Sequence, residues 1–228
     1  MKNVAIKPIL FNKQISTEMV RAILDGRKTC IRQIIKGYIP QNAQFGYSAF
    51  TPDGTISCRG LFETAGRPGY GEKFFKLPYQ PGDILYVRET WCKSLERYLY
   101  RADYSDTEKF YQNGKEIEIK WKPSIHMSKE AARIWLKVTN VRVERLQSIT
   151  VEGAIREGAE GEKCHHTNAG AFGCTDCMNT GWIEPPQVEF MQIWNSTIKK
   201  SDIDRYGWDA NPWVWVIEFE RCEKPEGV

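Results

Sequence analysis

The stretch Pro212–Cys222, PWVWVIEFERC, constrains the fold more than any other. Its tryptophans, valines, isoleucine and phenylalanine make it strongly β-prone, because such side chains pack well on a pleated surface. The chain must therefore supply a sheet for this segment to join. TCIRQII from Thr29 reads as extended, DILYVRETW from Asp83 reads as a strand ending in charged residues and Trp91, and IWLKVTNVRVERL from Ile134 alternates well enough for two strands or one long bent strand. GYSAFTPDGTISCRGLF carries a hairpin signal at Asp53-Gly54. RPGYGEKFFKLPYQPGD, rich in Gly and Pro, reads as loop. Asn113-Gly114 marks another turn, around which RYLYRADY and KEIEIKW are expected to pair.

Helices are short. Ser16 is placed to cap one with Val20, Ile23 and Leu24 at helical spacing and Gly26 at its end. Ser128 precedes a single turn, KEAAR, and Thr150 caps VEGAIREG, which stops at Gly158. PPQVEFMQIWNSTI predicts a helix with proline at its start and Val188, Met191 and Trp194 along one face. Strands outweigh helices, so the expected fold is one β-rich α+β domain over residues 1–228, carrying insertions.

Charge and hydropathy limit the partners. A net charge of +3 permits a nucleic-acid partner without demanding one, and any anion site is local. No run approaches the ~18 apolar residues of a membrane span. The opening MKNVAIKPILFNKQ lacks the apolar centre of a secretory signal, which makes a cytoplasmic location the expectation.

Of the 7 cysteines, Cys30, Cys58, Cys92 and Cys222 are scattered and read as small core residues. The others crowd into CHHTNAGAFGCTDC. Cys174-x-x-Cys177 forms a chelating knuckle, and Cys164 with one histidine completes a tetrahedral structural zinc site. His166 is preferred over His165 because one spacer residue relaxes the chelate with Cys164. The alternative is a coincidental cluster of reduced thiols. The His-x-Glu signature of zinc-dependent base deaminases is missing.

The basic turn LDGRKTCIRQ, Leu24–Gln33, is not a P-loop: the glycine spacing is wrong and a helix precedes it. Arg27, Lys28 and Arg32 either complement the partly negative end of that helix or form a local anion or polar-ligand site. The second short helix ends in glycine as well, and delivers Glu157 as the first delivers Lys28. A lysine and a glutamate facing one pocket can share a proton or bind a polar heterocycle.

ILDGRKT, YQPGDILYVRETW, KPSIHM, VTNVRVERLQSIT, EGAIREG and NPWVWVIEFERC together resemble the ASCH domain, and more closely its phage- and prophage-encoded members. The likeness runs from about Ile9 to Cys222, with residues 93–122 (hairpin-like) and 159–184 (the zinc loop) as insertions. It implies a PUA-like small β-barrel with short flanking helices, a cleft for a nucleoside, nucleotide, modified base or RNA, and a bacterial cytoplasm as the setting. Some small ASCH proteins hydrolyse N4-acetylcytidine with a lysine, a threonine three residues later and a glutamate late in the second helix. The lysine falls on Lys28 and the glutamate on Glu157, but the threonine position holds Ile31, which has no hydroxyl. Thr29 shares the side of Ile31, and Gln33 stands where an arginine is expected, with Arg32 one place earlier.

On this reading Lys28 and Glu157 are the candidate catalytic pair, and Arg27, Thr29, Arg32, Arg88, Glu89 and Trp91 are candidate ligand contacts. Arg88 can pair with phosphate and Trp91 can stack on a base. Equally, Arg88 and Glu89 can be an ion pair closing the barrel and Trp91 a core residue. His126 is either a cleft residue or a structural histidine. The expected function is binding of a nucleoside or RNA, with amide hydrolysis of an N-acylated pyrimidine nucleoside as the alternative.

Overall fold

The computed structural model describes residues 4–11, 16–37, 39, 43–46, 55–64, 67–94, 97–112, 114–165 and 180–226. Its centre is a sheet of β1 (Ile6–Leu10), β2 (Cys30–Ile34), β6 (Ile84–Arg88), β11 (Trp135–Arg145) and β14 (Trp213–Cys222), in the order β1-β6-β11-β14-β2. β1 and β6 are parallel, and the other neighbours are antiparallel. Smaller antiparallel sheets join β3 (Gln44–Gly46), β4 (Thr55–Thr64) and β5 (Arg67–Lys76), then β7 (Trp91–Ser94) with β8 (Arg97–Tyr100), β9 (Phe110–Gln112) with β10 (Lys115–Ile117), and β12 (Glu162–Lys163) with β13 (Trp182–Glu184). The helices are α1 (Ser16–Leu24), α2 (Val151–Arg156), α3 (Pro186–Thr197) and α4 (Ile203–Tyr206). The protein is thus mixed α+β, with a multistranded sheet and few helices.

The sequence places β14 at the heart of the molecule because it is apolar on both faces. Trp215, Ile217 and Phe219 pack with Met19, Val20 and Ile23 of α1 against Leu85, Val87, Leu136 and Val138. Val214 and Val216 point the other way, to Phe190 and Trp194 of α3 and Ala154 of α2. β11 is one continuous strand, broken only by a bulge between Val138 and Asn140. The bulge switches which residues face α1, from Leu136 and Val138 before it to Val141 and Val143 after it.

Several local expectations change. The Gly/Pro-rich run from Arg67 forms strand β5, paired with β4 along its whole length. β5 is an edge strand, where Pro68 need not donate to a ladder on its outer side. β8 pairs with β7 rather than across the Gly114 turn, and that turn joins β9 to β10. KEAAR is irregular, after a 3₁₀ turn at Ser124–His126. On α3 the buried residues are Pro186, Phe190 and Trp194, not Val188 or Met191.

Among the described pairings β1 and β2 remain edges, so the sheet does not close into the expected barrel. The two edges nevertheless approach the same place: Leu10 and Phe11 at the end of β1, and Ile31 to Gln33 of β2, line one cavity. Among the described residues no helix is long and apolar enough to cross a membrane.

Candidate binding site

Two helix ends build the site. Gly26 takes φ +77° and turns the chain out of α1, and Gly158 takes φ +97° just beyond α2. Thr150 caps α2, its hydroxyl accepting from Gly153 N at 3.0 Å. A Cβ on residue 158 would sit 3.2 Å from Ala22 Cβ, so glycine lets the end of α2 approach α1. Thr29 N donates to Arg156 O at 2.9 Å, which lays the entry to β2 against the end of α2.

That contact brings Lys28 to Glu157. Lys28 Nζ donates to Glu157 Oε2 and to the Glu157 backbone carbonyl, both at 2.7 Å. Arg32 Nη1 donates to Glu157 Oε1 at 3.1 Å, and its Nη2 donates to Glu144 Oε2 at 3.2 Å. The Lys28, Arg32 and Glu157 side chains are only 2%, 2% and 5% exposed. Stripping a buried charge of its sole partner typically costs about 3–5 kcal/mol, whereas Glu157 has two cations and keeps one if the other is lost.

The network continues onto the sheet. Arg142 donates to Glu144 at 2.6 Å and to Glu218 at 2.5 Å, and Arg156 pairs with Glu218 at 3.0 Å. Burial acts to raise the Glu218 carboxyl, but the hydrogen bonds and charges of Arg142 and Arg156 prevail and hold it below its ordinary value. Burial, reinforced by Glu157, pushes the Cys30 thiol up to about 12. Cys30 is therefore a neutral packing group beside Arg32.

Lys28, Arg32 and Glu157 line a cavity of about 230 Å³, together with aromatic Phe11, Phe190 and Trp194. The Phe11 ring centre lies 5.7 Å from Lys28 Nζ, and that of Phe190 lies 5.8 Å from Arg32 Cζ. Ile31 and Gln33 complete the β2 wall. Thr197 also lines the cavity, but its hydroxyl donates to Trp194 O at 2.7 Å. The arrangement brings cationic donors, one carboxylate and aromatic faces together around a single cavity.

The other expected contacts lie elsewhere. Arg27 is on the surface, paired with Glu160 at 3.0 Å and Asp25 at 3.2 Å. The Thr29 hydroxyl accepts from Arg156 Nε at 3.1 Å, and Thr29 is not a cavity residue. Arg88 reaches Ile125 O and the Tyr86 hydroxyl, both at 3.3 Å. Glu89 is buried and clamped by Arg133 at 2.9 and 3.0 Å. Trp91 packs in a cluster with Met127, Ala131 and Trp135. None of the last three lines the cavity, and His126 is exposed.

Of the zinc residues, His166, Cys174 and Cys177 lie outside the described residues. Cys164 is half-buried just after β12, with its N donating to Gly181 O at 3.0 Å. The sequence also did not expose Phe11, Phe190, Trp194, Glu144 or Glu218 as neighbours of the site. Only the i, i+4 spacing of Phe190 and Trp194 hinted that α3 presents a paired aromatic face.

This is an α+β protein with a buried Lys–Glu–Arg cluster opening on an aromatic cavity at the sheet edges. No family model matches the chain, and searches of curated proteins and of solved structures returned no match either.

Proposed function

We propose that the protein is an ASCH-type, PUA-like binder, phage-encoded and cytoplasmic, that seats a nucleoside, a modified base or an unstacked RNA base in this cavity. The observation that carries the reading is the convergence of Lys28, Arg32 and Glu157 on one cavity with Phe11, Phe190 and Trp194. Aromatic faces stack on bases, and fixed charged donors read their polar edges. About 230 Å³ is below the range of drug-sized pockets, which suits a single base or nucleoside. Both sheet edges reaching this cavity is compatible with a PUA-like sheet left open at the ligand.

Amide hydrolysis of an N-acylated pyrimidine nucleoside is the second reading, favoured by the 2.7 Å Lys28–Glu157 contact. Ile31 supplies no nucleophile, so water would attack the acyl carbon as Glu157 takes its proton. Lys28 would stabilise the oxyanion, and the C–N bond would break as the leaving amine takes a proton. Incubation with N4-acetylcytidine and chromatography for cytidine decides between the readings. Saturable binding without turnover is the expected result; turnover lost in both Lys28→Ala and Glu157→Ala establishes the hydrolase instead.

A structural zinc held by Cys164, His166, Cys174 and Cys177 belongs to the same proposal. The β12–β13 ladder beside Cys164 fits a staple across the intervening loop. Metal analysis after chelator-free purification is expected to give about one equivalent of zinc.

A further inference from the structure

The outer edge of β2 forms one wall of the cavity, and the direction of its main-chain groups follows from the pairing register. β2 ends the central sheet, with β14 as its partner on one side and none on the other among the described residues. The register runs unbroken from Cys30 opposite Glu218 to Ile34 opposite Val214. Thr29 O accepts from Phe219 N at 2.9 Å, and Ile35 N donates to Trp213 O at 3.1 Å. In an antiparallel pair, such hydrogen-bonded positions alternate with positions whose N–H and C=O point away from the partner. Thr29, Ile31, Gln33 and Ile35 therefore bond to β14, while Cys30, Arg32 and Ile34 turn their main-chain groups outward.

Of those three, Arg32 alone lines the cavity. It is 7% exposed as a whole residue but only 2% exposed in its side chain, so most of the surface it presents is main chain. Its N–H and C=O have no partner among the described residues. The ion pairs with Glu157 and Glu144 tie the guanidinium down and fix the strand at this point.

The cavity lies in the plane of the sheet. Ile31, Arg32 and Gln33 all line it, although side chains of successive strand residues alternate between the two faces. Phe11 and Met19 bound it from the α1 side, and Phe190 and Trp194 of α3 bound it from the other. A flat ring between these layers continues the sheet, with its faces toward aromatic side chains and one edge toward Arg32. About 230 Å³ suits one nucleoside better than an added peptide strand, which draws its affinity from a row of main-chain bonds.

Resting on the nucleobase reading above, we infer that the base pairs with the main chain of Arg32 as a neighbouring strand would, donating to its C=O and accepting from its N–H. The ligand class is a planar heterocycle with a donor and an acceptor side by side on one edge. Uracil and cytosine carry such a pair on their Watson–Crick edges. Methylation of the donor nitrogen, as in 3-methyluridine and N4,N4-dimethylcytidine, destroys it. The base arrives as a free nucleoside or on a single strand, since the recognised edge is the same.

Amide resonances of the nitrogen-15-labelled full chain, followed during titration with uridine, cytidine and their methylated forms, test the inference without mutation. Saturating uridine or cytidine is expected to slow hydrogen exchange of the Arg32 amide about tenfold or more, with little change at Ile31 and Gln33, whose amides already bond to β14. The methylated nucleosides are expected to bind about tenfold more weakly, the effect of one good hydrogen bond. Oligouridylate binding at least about tenfold more tightly than uridine identifies RNA as the source, and a smaller gain identifies the free nucleoside. Saturable nucleoside binding that leaves Arg32 exchange unchanged overturns the inference and leaves the nucleobase reading standing, as does equal affinity for the methylated forms. Protection of the Arg32 amide by a blocked Thr-Val-Thr-Val peptide and by no nucleoside overturns the nucleobase reading and makes this edge a peptide-docking strand. Absence of binding to every nucleoside and to oligouridylate overturns both.

Discussion

Glu157 and Glu89 are both buried carboxylates gripped by arginine, and of the two Glu157 lines a cavity while Glu89 does not. Glu157 sits between Lys28 and Arg32 on the cavity. Glu89, after β6, is 1% exposed and held by Nε and Nη2 of Arg133, which also grips Asp103 and lies 4.0 Å over the Tyr100 ring. Sequence reading treated Lys28–Glu157 and Arg88–Glu89 as parts of one cleft. The structure gives Glu89 a different partner, and a pinning role between β6 and the segment before β11. A buried ion pair by itself marks a place the fold cannot let go; a cavity beside it marks a place where something else can enter.

The sharpest way to break this comparison is to cut each cluster. Arg133→Met strands Glu89 without its main partner and is expected to cost about 3–5 kcal/mol in urea unfolding. Nucleoside affinity of the folded fraction should stay unchanged. Lys28→Met leaves Arg32 on Glu157, so the stability loss should be smaller, about 1–3 kcal/mol, while affinity falls by about tenfold or more. The comparison collapses if the first variant loses binding at full stability, or if the second loses stability with binding intact.

The two regions should also respond oppositely to pH. Burial raises the Glu89 carboxyl above its ordinary 4.5 despite the opposing pull of Arg133. The folded chain then holds that proton more tightly than the unfolded chain. Its contribution is full below 4.5 and is lost as pH rises through the folded value. Glu218 is held below 4.5, so its contribution is present above 4.5 and lost as pH falls through the folded value. Urea midpoints measured across this range should therefore decline less on alkalinisation in Glu89→Gln, and less on acidification in Glu218→Gln. The smallest expected effect is that of Thr29→Val, about 1 kcal/mol or less from the lost Arg156 bond, with no change in ligand affinity.

Locally encoded elements were legible in the sequence. β14 follows from its β-branched and aromatic run, α3 from proline at its start, and the cap of α2 from Thr150. What sequence patterns could not show was set by distant partners. β5 is a strand because β4 pairs with it, against its own Gly and Pro content. Phe190 rather than Val188 is buried on α3 because of where β14 lies. Spacing along β2 places Arg32 opposite Gln33 in facing, but only the fold brings Glu144 of β11 to meet its second guanidinium arm.

The bulge in β11 acts as a phase shift. Thr139 is the extra residue between Val138, opposite Phe219, and Asn140, opposite Glu218. Deleting that one codon would restore strict two-residue alternation with every later side chain kept on its present face, because Asn140 would follow Val138 as directly as Glu218 adjoins Phe219 on the partner strand. Val141 and Val143 would stay in the apolar layer under α1, and Arg142 and Glu144 would stay beside Glu218 and Arg32. Thr139 is thus a residue the ladder steps over, and the bulge is what lets one surplus position sit in the strand while the charged and apolar faces run on undisturbed.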